Sequence, residues 1–180
     1  MRNRLVLYLI IALAATGACK KKVGTSDAIK ADLKNYLQVE LPKADSLFAL
    51  MALLSEKFKE KEAGESQDLP KFDDKKEGQK LAQAVEALSK IKTSTEDVGR
   101  LHAELQSGVA DIQVSFQKLA QLEKEASGFS AFTAMLKAMK NIVSGIESLQ
   151  DWRKHLEAGC KANGLEAEFA EFEKKYGWGG

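Results

Sequence analysis

Apolar side chains recur along most of this chain at steps of three and four residues, the spacing that places them on one face of an α-helix. The first stripe predicts a helix from about residue 26 to residue 62, with apolar positions at Ile29, Leu33, Tyr36, Leu37, Leu41, Ala44, Phe48, Met51, Leu54 and Phe58. Pro42 lies inside this stripe. Because proline lacks an N–H and clashes with the preceding turn, we expect it to kink the helix or to divide it in two.

Further helical stripes follow a predicted loop over residues 63–71. They run over residues 81–91, 98–122 and 129–156, and a short helix over residues 165–176 comes after Asn163 and Gly164. Thr93 with Glu96, or Ser94 with Asp97, predicts a capping box that starts the third helix. The apolar positions of the second and third stripes fall on one continuous helical face, so one long helix is the alternative to two separate helices.

The predicted fold class is therefore all-α. We expect an elongated antiparallel helical bundle of four main helices, or three if the second and third are continuous, plus a short C-terminal helix. Gly128 lies in the short connection between the third and fourth stripes, which should form an antiparallel hairpin. Gly99, Gly108 and Gly145 would allow close helix approach, or alternatively a ligand groove.

The first 18 residues read as a targeting signal rather than as part of this fold. Arg2 and Arg4 precede an apolar run over residues 5–15, which is the layout of a secretory signal. As a helix, the uncharged stretch over residues 5–19 would reach about 22 Å, which is too short for a hydrocarbon core of about 30 Å. Lysines 20–22 directly after it also oppose an ordinary membrane span.

At Thr16-Gly17-Ala18-Cys19 the chain resembles the lipobox of bacterial lipoproteins. Gly17 and Ala18 fit that pattern, while Thr16 stands where leucine is most often found, so the match is to its relaxed form. The resemblance covers about the first 20 residues and implies cleavage between Ala18 and Cys19, with acylation of Cys19. The alternative is an ordinary cleaved signal with an incidental cysteine.

The resemblance also implies a location in the bacterial cell envelope, with the chain attached to a membrane through its N-terminal lipid. Lys20 follows the cysteine, and in lipoproteins of enteric type an aspartate there favours the inner membrane. We therefore expect the outer membrane, facing the periplasm, with the inner membrane or the cell surface as alternatives. The predicted organisation is a signal peptide over 1–18, a lipidated tether over 19–26, one helical domain over 27–176 and a flexible tail over 177–180.

The charge balance, the cysteine count and the missing enzyme motifs limit the classes of function that we expect. Removing the signal takes away two arginines and leaves 25 basic against 26 acidic residues, so no basic excess favours nucleic-acid binding. With Cys19 acylated, Cys160 has no partner for an internal disulfide and is expected to pack as a small apolar residue, or else to act as a redox or intermolecular thiol. The chain contains no CxxCH, HExxH or glycine-rich phosphate loop, so we expect no enzyme.

The two histidines define the main candidate site. If the third and fourth helices turn near Gly128, His102 lies 26 residues before the turn and His155 lies 27 after it, at nearly the same height. Asp151 is one helical turn from His155 and could orient its ring. The functional interpretation is a site for haem b or a divalent metal. The structural interpretation, which we favour, is two histidines bonded to neighbours, with no cofactor.

We expect a non-enzymatic helical scaffold or protein-interaction module, with an envelope protein as partner. The alternative is a small-ligand carrier that uses the histidine pair. Phenylalanine and methionine residues at 129, 132, 135 and 139 could form an exposed partner surface, although their helical spacing favours the core. Trp178 lies beyond the last predicted helix, so it either folds back on the domain or binds a partner.

Overall fold

A computed structural model describes residues 24–62, 74–125 and 129–176, and within these ranges the chain is all-α, with no strand. The α-helices are α1 (Ser26–Asn35), α2 (Asp45–Glu62), α3 (Asp74–Ser89), α4 (Glu96–Glu125), α5 (Phe129–Ala162) and α6 (Glu166–Tyr176). The prediction of an all-α chain is confirmed. The predicted loop over 63–71, the tail over 177–180, and Ala18 and Cys19 lie outside the described residues.

Helical structure is continuous from α1 to α2 but changes its pitch near Pro42. A π-helical turn (Tyr36–Glu40) and a 3₁₀ turn (Leu41–Ala44) lie between the two α-helices. Pro42 cannot donate a backbone hydrogen bond, and these turns accommodate the missing N–H without ending the apolar stripe. Leu33, Leu41 and Phe48 are all buried, so the predicted stripe is confirmed on both sides of the proline.

A non-helical segment over residues 90–95 separates α3 from α4, which confirms the predicted break. The predicted capping box is wrong in its register. Thr95, not Thr93 or Ser94, precedes α4, and its hydroxyl accepts a hydrogen bond from the Val98 N–H at 3.4 Å. The reason is an acceptor on another helix, Asp32, which fixes the backbone at this position.

Asp32 of α1 is buried and accepts hydrogen bonds from the donors at the start of α4. Its carboxylate accepts hydrogen bonds from the backbone N–H of Ser94 at 2.9 Å and of Thr95 at 2.8 Å, and from the Thr95 hydroxyl at 2.8 Å. A negative charge at a helix N-terminus is also favoured by the helix dipole. This cluster therefore joins α1 to α4 at the end of the molecule where the described chain begins.

The helices α4 and α5 pack along each other as an antiparallel pair. Two glycines lie in their contact: a Cβ on Gly108 would come 2.8 Å from Leu149 Cδ2, and a Cβ on Gly145 would come 2.5 Å from Ile112 Cγ1. Both distances are shorter than van der Waals contact, so the two glycines allow the close approach that their sequence positions predicted. For Gly108 and Gly145, close packing is confirmed.

Helix α5 ends at Ala162, directly before Asn163 and Gly164, where the sequence predicted its end. Gly164 has a φ of +64°, and the backbone N–H groups of Leu165 and Gly164 donate to the carbonyls of Cys160 and Lys161. These bonds form a Schellman motif, which requires the left-handed conformation that glycine adopts most easily. The chain reverses there, and α6 packs back against α5.

An aromatic cluster holds α6 against the rest of the core. Phe172 and Tyr176 of α6 contact Phe48 at ring-centroid distances of 5.3 and 4.8 Å, and Phe48 stacks on Trp152 of α5 at 6.4 Å. Arg153 of α5 forms a paired ion bridge with Glu173 of α6. Aromatic burial of this kind contributes strongly to core stability.

None of the helices in the described ranges is both long enough and apolar enough to cross a bilayer.

Candidate functional site

His102 lies in the core, inside a short chain of polar groups. Its Nε2 is 3.1 Å from the Leu88 carbonyl oxygen, and its Nδ1 is 3.2 Å from the Tyr36 hydroxyl. A carbonyl can only accept, so Nε2 carries the proton and Nδ1 accepts from Tyr36 in the neutral ring. The histidine thus links α4 to the last turn of α3 and to the π-helical turn.

Burial also determines the ionisation state of the Tyr36 hydroxyl. Removal of its hydroxyl from water raises the pKa of Tyr36 well above its usual value, while the nearby indole of Trp152 lowers it slightly. Within the described residues, the buried Trp152 Nε1 has no hydrogen-bond partner. Tyr36 therefore stays neutral, and its hydroxyl donates a hydrogen bond to Nδ1 of His102.

His155 lies in a different environment. Its side chain is exposed, and Nδ1 is 2.9 Å from Oε2 of Glu104 on α4. Because Glu104 is two residues after His102, this contact confirms the predicted register of the α4–α5 hairpin. The predicted height was correct, although the two imidazoles bind different groups.

Asp151 does not orient the His155 ring. Its Oδ1 accepts from the Lys154 ammonium at 2.9 Å, and this bond and the lysine charge lower the pKa of Asp151. His102 faces the core and His155 faces solvent, and both already have protein partners. Both ring nitrogens of His102 already have partners, so this ring would have to give up a bond to take a ligand. The haem or divalent-metal interpretation stays a prediction.

Across the described parts of the chain, no three histidine, cysteine, aspartate or glutamate side chains come together in a group that could hold a metal ion.

Cys160 is fully buried at the end of α5, where it packs as a small apolar side chain. Burial raises the pKa of the Cys160 thiol to about 12, with smaller contributions from the charges of Glu168 and Glu166. The thiol is therefore protonated near neutral pH and is a poor nucleophile. The structural interpretation of this cysteine is confirmed.

An apolar surface on α5 is the main feature that the sequence did not predict. Phe132, Leu136 and Val143 are 49, 43 and 38% exposed, although all three belong to the stripe that predicted the core. That part of the prediction is wrong. The spacing of four and seven residues puts the three side chains on one flank of α5, away from the buried line of Ile142 and Leu149. We call Phe132, Leu136 and Val143 the α5 flank.

The phenylalanine and methionine residues at 129, 132, 135 and 139 do not share one environment. Met139 is buried and Met135 is half-buried, whereas Phe132 is exposed, and the side chain of Phe129 lies outside the described set. A 3.6-residue period places apolar residues on a face, but it does not state how wide a face the neighbouring helices cover. Among the described elements, α4 has the most extensive contact with α5.

Charge within this part of α5 is one-sided. The sequence has no aspartate or glutamate from residue 126 to residue 146, and Lys137 and Lys140 in this stretch are exposed. On another side of α5, a groove of about 460 Å³ between α4 and α5 is lined by Lys118, Gln121, Leu122, Ala134, Lys137, Ala138 and Asn141.

No protein-family model matches the chain, and comparisons with curated proteins and with solved structures give no match either.

Proposed function

We propose that the protein is a lipid-anchored bacterial envelope lipoprotein, a non-enzymatic helical module that binds another envelope protein. The sequence supports the anchor through the lipobox-like Thr16-Gly17-Ala18-Cys19 after an apolar segment. Acyl chains such as palmitate on Cys19 would hold the chain at the outer membrane, on the periplasmic face, because two or more chains together give stable attachment.

The proposal takes the helices as one elongated antiparallel bundle with the anchor at one end. Gly24 lies against Thr95, because a Cβ on Gly24 would come 3.0 Å from Thr95 Cγ2. From there α4 runs for 30 residues, which is about 45 Å of helix, and α5 returns antiparallel to it. The start of α5 is then the end most distant from the anchor.

One observation carries the binding role: Phe132 and Leu136 of the α5 flank are exposed near that distant end. Large apolar side chains grouped on one exposed surface are typical of protein contacts. With Lys137 and Lys140 beside them, the complementary surface on the partner is apolar and acidic. Residues 20–23 separate Cys19 from Gly24, and a flexible tether of this length, on the order of 11 Å, would keep the domain close to its membrane.

Site-specific photocrosslinking in the native envelope tests this proposal. A photoreactive residue at Phe132 should give one discrete adduct with a membrane-associated protein, and Leu136→Asp in the same chain should abolish it. The matched control places the probe at Lys154, which is exposed on the same helix at the anchored end. Equal adducts from both positions, or an adduct that survives Leu136→Asp, would contradict a specific distal surface.

A further inference from the structure

The groove between α4 and α5 has the size of a small-ligand site and an apolar strip along its length. Small-ligand sites have volumes of about 300–1,000 Å³, and this groove has about 460 Å³. Its apolar lining consists of Leu122 of α4 with Ala134 and Ala138 of α5. Alanine side chains are short, so they leave a space between the two helices that a larger residue would fill.

Two lysines from facing helices line the same groove, Lys118 of α4 and Lys137 of α5. Both are exposed, and within the described part of the chain neither ammonium group forms an ion pair. The described acidic side chain on α4 that comes nearest before Lys118 is Asp111, seven residues or about 10 Å along the helix, and the side chains of residues 123–125 lie outside the described set. Two like charges beside one groove repel each other, and an anion bound between them would remove that cost.

The other end of the same helix pair carries complementary groups on this side. There, Glu104 of α4 contacts His155 of α5 at 2.9 Å. Lys118 lies 14 residues after Glu104, and Lys137 lies 18 residues before His155, which are about four and five helical turns. All four residues therefore share one side of the pair. Among the described groups at the groove, no carboxylate complements the two lysines as Glu104 complements His155.

Two carboxamides complete the polar lining, Gln121 of α4 and Asn141 of α5. Each can donate hydrogen bonds through its NH₂ group and accept them through its oxygen. From Ala134 to Asn141 the lining covers seven residues of α5, about 10 Å along the helix. Cations and amide donors beside an apolar strip of this length suit one acyl chain with an anionic head group.

We propose that this groove binds a single-chain anionic amphiphile of medium chain length, either a fatty acid or a lysophospholipid. Its head group lies between the ammonium groups of Lys118 and Lys137, and its acyl chain lies against Leu122, Ala134 and Ala138. The chain leaves water when it covers these residues, which favours binding in proportion to the apolar area removed from solvent. The groove and the α5 flank lie on different sides of α5, so occupation of the groove does not require a protein partner on the flank.

Photoaffinity labelling tests the site. The full chain in nanodiscs of zwitterionic lipid is irradiated with a decanoate probe that carries a diazirine on its chain, and the labelled residues are mapped by mass spectrometry. We expect labelling of the groove lining that excess decanoate displaces. Decanol, which has the same chain length without a charge, should displace the probe severalfold less effectively, and acetate should not displace it.

Decanoyl lysophosphatidic acid distinguishes the two sources of the ligand, because its head group is a phosphate. Stronger displacement by decanoate assigns the groove to a fatty acid, and stronger displacement by the lysophosphatidic acid assigns it to a lysophospholipid. Equal displacement by decanoate and decanol would contradict a head group held by the lysines. Equal displacement by decanoate and acetate would contradict a role of the apolar strip.

Variants locate the ligand. Lys118→Gln and Lys137→Gln should each weaken displacement by decanoate severalfold, and Ala134→Leu, which fills the groove but keeps both lysines, should abolish labelling. Lys140→Gln is the matched control, because Lys140 is exposed on α5 but does not line the groove. Circular dichroism verifies that each variant is folded. Labelling that persists in folded Ala134→Leu, or equal weakening by Lys140→Gln and Lys137→Gln, would place the ligand elsewhere and overturn the proposal.

Discussion

The contact of α4 with α5 through Gly145 gives the sharpest stability prediction. A Cβ at this position would come 2.5 Å from Ile112 Cγ1 and 3.2 Å from the Gly108 carbonyl oxygen, whereas apolar carbons pack at about 3.5 Å or more. Ile112 is fully buried, so it has little room to move. Gly145→Ala must therefore separate the two helices by up to about 1 Å at this point or displace Ile112.

Two opposing contributions set the magnitude. Replacing a helical glycine by alanine stabilises the helix by about 0.5–1 kcal/mol, whereas forcing extra volume into a packed core costs about 1–3 kcal/mol. Gly78 is the matched control, because it lies inside α3 and a Cβ there would meet no atom within 4 Å. Gly78→Ala should gain the helix contribution alone, so the two variants should differ by about 1–3 kcal/mol in unfolding free energy.

Urea denaturation followed by circular dichroism measures this difference. We expect Gly78→Ala to be slightly more stable than wild type and Gly145→Ala to be less stable than Gly78→Ala. Gly108→Ala should fall between them, because the nearest atom there, Leu149 Cδ2, is the end of a flexible side chain. If Gly145→Ala is as stable as Gly78→Ala, the helices do not approach each other as closely as described.

Three further predictions concern buried side chains. Asp32→Ala should lower the unfolding free energy by about 2–4 kcal/mol because it leaves the donors at the start of α4 without an acceptor, and Asp32→Asn, which keeps one carbonyl oxygen, should lose less; equal losses in denaturation would contradict stabilisation by the acceptor oxygens. Burial of Glu40 opposes its ionisation, but the bonds from Lys43 and from a backbone N–H lower the pKa of Glu40 below its usual value. The stabilisation by the Glu40 carboxylate is therefore present above the pKa of Glu40 in the unfolded chain and is lost as the pH falls through its pKa in the folded chain. The difference in unfolding free energy between wild type and Glu40→Gln should shrink from about pH 6 to about pH 3. A difference that does not depend on pH would contradict this. Cys160 should not react with a thiol reagent in the native protein and should react in denaturant, because its thiol is buried and protonated; fast native labelling would show that the end of α5 is open.

Local patterns in the sequence were enough to predict the helices and several of their ends. The apolar period predicted the buried stripes of α1, α2 and α4, and Asn163 with Gly164 predicted the end of α5, because a Schellman motif depends on a few adjacent residues. The position of the hairpin turn also predicted that His155 meets α4 near His102, since both helices rise by the same distance per residue.

Features that depend on distant parts of the chain were not predictable in this way. The N-cap of α4 is Thr95 and not the predicted Thr93 or Ser94, because Asp32, more than 60 residues earlier, accepts hydrogen bonds from Thr95. His102 is buried and His155 is exposed because other helices cover only one of them, and the sequence around each gives no sign of that. For the same reason, periodicity assigned the α5 flank to the core, although Phe132, Leu136 and Val143 are exposed.

Fatty-acid labelling tests the lipid anchor most directly. Cells that express the full chain are grown with radiolabelled palmitate, and the protein is isolated from the envelope. Wild type and Cys160→Ala, the matched control at the buried cysteine, should both carry label, whereas Cys19→Ser should carry none and should leave the detergent phase. Label that persists in Cys19→Ser, or wild type without label, would contradict the lipoprotein anchor.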